Sequence, residues 1–195
     1  MPDQSALRGM PDTDLMLRVQ WGSDRAFAEL YQRYYRRLLD FFYGMGRDAH
    51  VAEDLCHETF LRLWQLRVRY TVSGSFAAYL FSVARRIWLE RGRQERKQWR
   101  LGVAQRLDAP GAAVLASTDP GPGDRAYGSE LAERIGAAVQ ELPEEQRMAF
   151  VLRTVEGMSL SDIASVMQCP VNTVRSRRLL AIKRLREALR GLRVR

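Results

Sequence analysis

Ser159–Arg178, SLSDIASVMQCPVNTVRSRR, reads as two short helices joined by a tight turn. Ser159 suits a helix start, with Asp162 three residues on as a capping partner. Leu160, Ile163, Ala164, Val166 and Met167 then recur at helical spacing. Gln168-Cys169 interrupts the pattern. Pro170 fits the first turn of a second helix, where a missing N–H costs nothing, and the spacing turns Val171 and Val174 inward. Asn172, Thr173, Arg175, Ser176 and Arg177 are left on the outer face. This is the helix-turn-helix plan, whose second helix lies in the major groove of DNA.

The charge map supports a polyanion as partner. The 195 residues carry a formal net charge of +8, but the surplus is not scattered. Residues 1–84 hold 10 basic and 10 acidic groups, 85–100 hold 7 against 2, 101–174 hold 5 against 10, and 175–195 hold 9 against 1. Two basic stretches with an acidic span between them suit phosphate neutralisation and counterion release. Of the 31 cationic residues only Lys97 and Lys183 are lysines. Arginine can grip phosphate or guanine with two donors, although a GC-rich coding sequence produces the same bias.

Upstream of the quoted stretch, Phe27, Leu30, Tyr31, Tyr34, Leu38, Phe41 and Phe42 follow a helical stripe that Gly44 and Gly46 are expected to close. A second helix is expected from near His50, with Val51, Ala52, Leu55, Cys56, Phe60, Leu63 and Trp64. A third follows from about Ser75, with Phe76, Tyr79, Leu80, Val83, Ile87 and Trp88, and runs into the arginine-rich ERGRQERKQWR. Three such helices make a bundle. From Leu101 to Ser129 helical periodicity gives way to Pro, Gly, Ala and Ser, including STDPGPGD, so this span reads as a flexible linker. Helical signal resumes with Leu131, Ile135, Ala138, Val139 and Leu142. PEEQRMAFVLRTVEG then places glutamates in a first turn, directs Met148, Val151, Leu152 and Val155 inward and stops at Gly157. The expected fold is all-α, with two small helical domains: residues 23–100, and a four-helix unit over 130–190 beyond the linker 101–129.

Enzymatic readings find little support. No glycine-rich phosphate loop or nucleophile elbow is present. His50, Cys56 and His57 match no common zinc spacing, and Cys56 lies on the apolar stripe, so neither a metal nor any other cofactor is expected. Two cysteines make no disulfide framework and fit a reducing cytoplasm. The N-terminal stretch MPDQSALRGMPDTDL does not read as a signal peptide, and no run of about 18 apolar residues could cross a membrane.

AEDLCHETFLRLW (Ala52 to Trp64), FAAYLFSVARRIWLE (Phe76 to Glu90) and ELPEEQRMAFVLRTVEGMSLSDIASVMQCPVNTVRSR (Glu141 to Arg177) together resemble bacterial sigma factors of the extracytoplasmic-function group, which retain sigma domains two and four. The resemblance covers about 25–97 and 130–190. It implies a non-catalytic subunit that binds core RNA polymerase, recognises two promoter elements and is often held by an anti-sigma factor. Asp54, Leu55, Glu58, Thr59, Phe60 and Leu63 match the surface that docks on polymerase, although spacing alone reads Leu55, Phe60, Leu63 and Trp64 as core. Arg69, Tyr70, Arg85, Arg86, Trp88, Arg91 and Arg93 fall where the downstream element is expected to be held, a basic groove with aromatic partners for unpaired bases; Trp88 also continues the core stripe. Asn172, Thr173, Arg175, Ser176, Arg177 and Arg178 fall where the upstream duplex is expected to be read.

The chain departs from the family habit at two places. Arg86 follows Arg85 where asparagine is frequent, and TVRSRRLLAIK replaces the usual TVKSRLHRARK. Leu179 and Leu180 thereby form a candidate partner-facing apolar patch. The alternative from another class is a stand-alone helix-turn-helix regulator that never meets polymerase. It accounts for the C-terminal half but leaves AEDLCHETFLRLW without a role, and a pull-down with core polymerase separates the two.

Overall fold

The computed structural model describes residues 7–106 and 128–190. Among them are eight α-helices, one 3-10 turn and no strand. They are α1 (Asp12–Gln20), α2 (Asp24–Gly46), α3 (Ala49–Leu66), the turn Arg67–Arg69, α4 (Phe76–Arg106), α5 (Gly128–Gln140), α6 (Glu144–Thr154), α7 (Leu160–Met167) and α8 (Val171–Ala188).

Local chemistry sets most of the boundaries. Ser23, Asp48 and Ser159 each sit in extended backbone and accept the N–H three residues on, from Ala26, Val51 and Asp162, at 3.3, 3.0 and 3.0 Å. Such caps satisfy donors that a helix start leaves without partners. Gln168 ends α7 in the left-handed region at φ 52°, and the Cys169 N–H returns to the Ala164 carbonyl at 3.1 Å. That closes the tight turn expected from Gln168-Cys169.

Four expectations need correction. α1 was not foreseen, yet Leu15, Met16 and Val19 are fully buried. Arg33 ties the approach to it down, donating to the carbonyls of Leu7, Arg8 and Met10 and pairing with Asp12 at 2.6 Å. Gly44 and Gly46 do not close α2; the helix runs through both, and Arg47 takes the left-handed position at φ 56°. Val155 and Val171, expected inward, are exposed because each lies at a helix edge, just past the C-terminus of α6 and at the first residue of α8. Helix also persists past Leu101 as far as Arg106; residues 107–127, most of the expected linker, lie outside the described residues.

Helices α1–α4 form the N-terminal bundle around Leu30, Leu38, Phe41, Leu63, Leu80, Phe81 and Ile87, all nearly without solvent contact. Phe41 meets Phe42 and Phe81 edge-on at 5.1 and 5.4 Å, a favoured aromatic geometry. Helices α5–α8 make the C-terminal unit. Its buried side chains divide: Met148, Val151, Leu152, Ile163, Val166, Met167 and Val174 join the same apolar cluster as the N-terminal bundle, whereas Ala138, Val139, Leu142, Ala181 and Leu185 form a smaller one between α5 and α8. The two units, far apart in the sequence, thus share a core.

Candidate polymerase and nucleic-acid interfaces

The α3 side chains singled out for docking sort into two groups. Leu55, Thr59 and Leu63 are buried; the Thr59 hydroxyl donates to the Leu55 carbonyl at 2.7 Å inside its own helix. These three, expected at the docking surface, lie on the inward face of α3 and pack in the core. Phe60 is as buried as Leu55, but its ring stands against those of Phe27, at 6.1 Å, and Tyr31, at 4.5 Å, which are only half-buried. With Asp24, His57, Leu61 and Trp64 they line a shallow cleft of roughly 370 Å³. Leu61 is 58% exposed at its rim. Asp54 is exposed, and Glu58 is held by Arg62 at 2.8 Å, which also reaches Glu90 of α4 at 2.6 Å. The sequence reading missed Leu61, Phe27 and Tyr31 as surface residues. The signal was present at Leu61, a leucine lying off the buried stripe of its helix.

In the loop before α4, Tyr70, expected at the downstream element, is buried. It is 4% exposed and packs edge-on against Phe76 and Tyr79 at 6.4 and 4.9 Å. Gln20 fixes this loop, donating to the carbonyls of Val68 and Tyr70 at 3.0 and 3.2 Å. Arg69, Arg86 and Arg93 are exposed. Arg91 pairs with Glu95 one turn on, at 2.7 Å. Arg85 and Trp88 face the C-terminal unit instead: Arg85 Nη2 lies 3.5 Å from Glu145 Oε1, and the Trp88 indole donates to Glu144 Oε1 at 2.7 Å. Those glutamates occupy the first turn of α6, where the helix dipole favours negative charge.

On α8, Asn172, Arg175 and Ser176 are exposed, while Thr173, Arg177 and Arg178 are half-buried. Arg177 turns back toward α6. Its Nη1 lies 2.8 Å from Glu145 Oε2 but aims its hydrogen at Cys169 Sγ, 3.4 Å away, so the carboxylate contact is one of charge rather than of an aligned hydrogen bond. Leu179 and Leu180 are exposed, as their spacing predicts. Among the described residues no group of three or more His, Cys, Asp or Glu could hold a metal, and no helix is long and apolar enough to cross a membrane. Burial pushes the Cys56 thiol up to about 12.

Residues 30–98 match the family model for sigma-70 region 2, and residues 132–185 match the one for sigma-70 region 4. The chain belongs to the sigma-70 family, in its extracytoplasmic-function group. It is 30% identical to the RNA polymerase sigma-H factor of Pseudomonas aeruginosa, over 93% of this chain and 95% of that one. It is 27% identical to the extracytoplasmic-function sigma factor SigW of Bacillus subtilis, over 89% and 91%. Among solved structures, RpoE from Bartonella quintana, in complex with the anti-sigma factor NepR, superposes with a TM-score of 0.63 at 25% identity, over 86% of this chain and 98% of that one. CnrH, solved with the cytosolic domain of CnrY, shares the fold at a TM-score of 0.68 and 23% identity, over 92% and 97%. This sigma-family chain is therefore a DNA-binding initiation factor that works with RNA polymerase.

One further contact joins its two units through a titrating group. The Glu156 carboxylate, beyond α6, meets Arg37 of α2 at 3.0 Å with its side chain 2% exposed. Burial is the larger influence and pushes this carboxyl from 4.5 up to about 7; Arg37 opposes the rise and Asp40 adds to it. A carboxyl whose pKa is raised by packing binds more protons packed than released. Its stabilising contribution is complete below about pH 4.5 and is lost as pH rises through about 7. The union of the two units is expected to be weaker at pH 8 than at pH 5.5, read from the distance between labels on α2 and α6. Glu156→Gln should flatten that dependence, and an equal dependence in the variant would remove Glu156 as its source.

Proposed function

We propose that this sigma-family chain is a non-catalytic, cytoplasmic specificity subunit that docks on core polymerase through the apolar cleft of α2 and α3 and reads promoter DNA with α4 and α8. The observation that carries the residue-level reading is the pairing of an open aromatic and aliphatic cleft, Phe27, Tyr31, Leu61 and Trp64, with exposed cationic and amide side chains on two other helices. Apolar anchors flanked by charge, here Asp54 and Glu58, suit a helix laid into a groove. Residues 23–100 serve as sigma domain two and 130–190 as sigma domain four, in keeping with the matched regions.

On α4, Arg86 and Arg93, with Arg69 in the preceding loop, are the cations open to the downstream element; Arg91 reaches it by exchanging Glu95 for phosphate. On α8, Asn172, Arg175 and Ser176 present the upstream-reading edge, and Thr173 and Arg178 flank it. An anti-sigma partner is supported by the likeness to the NepR-bound RpoE of Bartonella quintana.

Promoter-dependent transcription with purified core enzyme tests the whole reading, and failure to bind core would sink it. Within that assay the two α8 arginines separate. Arg175→Ala should weaken upstream-element binding by about 1–3 kcal/mol if it reads a base, with core binding unchanged. Arg177→Ala, whose guanidinium is engaged with Glu145 and Cys169, should instead lower the melting temperature and affect DNA less. The reverse ranking would mean that α8 turns in its seat when it meets DNA.

A further inference from the structure

Trp21 is 90% exposed, the most open of the large apolar side chains among the described residues. Its backbone is nevertheless firmly held. The N–H groups of Trp21 and Ser23 both donate to the Arg18 carbonyl, at 3.1 and 3.0 Å, and that of Gly22 donates to the Val19 carbonyl at 2.9 Å. Gly22 takes φ 86°, which suits glycine, and Ser23 then caps α2. The indole is thus displayed from an ordered turn between α1 and α2. A ring of that size left in water gives the fold nothing and points to a partner.

The surroundings of the turn say which partner. Gln20 donates to the carbonyls of Val68 and Tyr70, the residues on either side of Arg69. This clamp brings the Trp21 turn and the loop before α4 to one corner of the bundle. Leu17, one helical turn before Trp21, and Val68 are exposed there as well. Arg18 and Arg69 are exposed and make no ion pair among the described residues. Arg67 is by contrast engaged by Trp64, with its guanidinium 4.3 Å from the ring and Nη1 donating to the Trp64 carbonyl at 2.8 Å. The sign of the charge separates this corner from the α2–α3 cleft, which is flanked by the carboxylates Asp24, Asp54 and Glu58. An open indole beside free cations suits a nucleic-acid base on the ring face and phosphates on its flanks.

We propose that Trp21 is a stacking platform for one unpaired base of the opened promoter strand, with Arg18 and Arg69 receiving the neighbouring phosphates. The stack carries the strand's path from α4, across the loop, to the α1–α2 turn, beyond the residues assigned above to the downstream element. Because every base has a π face, the platform adds affinity for opened DNA with little preference among bases. The proposal rests on the reading that α4 and its loop hold the downstream element, and its tests keep the two apart.

Holoenzyme assembled from core polymerase and the full-length chain is bound to a promoter duplex bearing a single-stranded downstream tail. Trp21→Ala should weaken this binding about tenfold, and Trp21→Phe much less. Core binding, binding to the closed upstream duplex and the melting temperature should stay unchanged. An abasic residue is then moved along the tail. At one position it should cost the unsubstituted chain about tenfold and the alanine variant nothing, because base and ring act as a pair. An equal abasic cost in both chains at every position would overturn the proposal. So would a loss of core binding by Trp21→Ala, which would make the indole part of the polymerase cleft.

The free chain supplies a comparison without polymerase. A single-stranded oligonucleotide should quench a component of tryptophan fluorescence that Trp21→Phe lacks, and equal quenching in both chains would overturn the platform. If the unsubstituted holoenzyme bound tailed and fully duplex promoter alike, the downstream reading of α4 would fail, and the fluorescence comparison would still decide Trp21.

Discussion

Replacing Leu61 by aspartate is expected to weaken binding to core polymerase by about 2 kcal/mol or more, roughly thirtyfold, without lowering thermal stability. Leu61 is 58% exposed, so the folded chain loses little packing when it is replaced. Its side chain nevertheless stands at the rim of a cleft whose floor is Phe27, Tyr31, Phe60 and Trp64. A partner seated there would bury the leucine, and a carboxylate in its place would have to be desolvated without a counter-ion. The neighbouring Asp54 and Glu58 would add like-charge repulsion. Titration of labelled core polymerase, with a melting curve on the same preparation, checks both halves. An unchanged affinity would move the docking surface elsewhere on the bundle.

The second large effect concerns stability. Arg147→Ala is expected to cost about 2–4 kcal/mol, measured by urea denaturation at neutral pH. The Arg147 guanidinium donates at 2.6 Å to both the Met45 carbonyl and Gln140 Oε1, at 2.7 Å to the Gln140 carbonyl and at 3.2 Å to the Leu142 carbonyl. It therefore fastens the α5–α6 turn and the end of α2 to the same side chain. Burial pulls its pKa below the ordinary guanidinium value, a sign that the charge is partly removed from water. Alanine would leave four acceptors to find water in a crowded joint. Arg147→Lys keeps the charge but not the fork of donors, and should recover less than half of the loss. A loss below about 1 kcal/mol for the alanine variant would mean that water replaces the guanidinium readily.

The sequence made the helices legible because their signals are local. Ser159, Gln168 and Pro170 each act within a turn of their own position, and the turn formed as they require. The stripe from Leu30 to Phe42 likewise needs no knowledge of its partner. α1 escaped because nine residues carry only three buried side chains, and Pro11 stands at its start without a side-chain cap hydrogen bond. The burial of Tyr70 and Thr59 escaped for a different reason. Both are polar enough to read as surface, and their burial depends on packing that no single helix shows: the Tyr70 ring on Phe76 and Tyr79, and the inward face of α3. Arg85 and Arg177 were recognised as basic side chains on the right helices, but their shared neighbour Glu145 lies 60 residues from one and 32 from the other in the chain. Charge clustering separated the two units on paper. It could not reveal that the glutamates at the start of α6 meet the last helix of the N-terminal bundle.

Gly44 brings this to a single methyl group. A Cβ built there would stand 3.1 and 3.3 Å from the two methyls of Val151 on α6, so α2 and α6 approach as closely as they do because position 44 carries no side chain. Within α2 alone, alanine would be the better residue, by about 1 kcal/mol of helix propensity. Local preference and long-range fit therefore pull in opposite directions at this position. A methyl group there would act as a shim, straightening the odds for the helix while prising the seam, and a measurement of helix content alone would record only the gain.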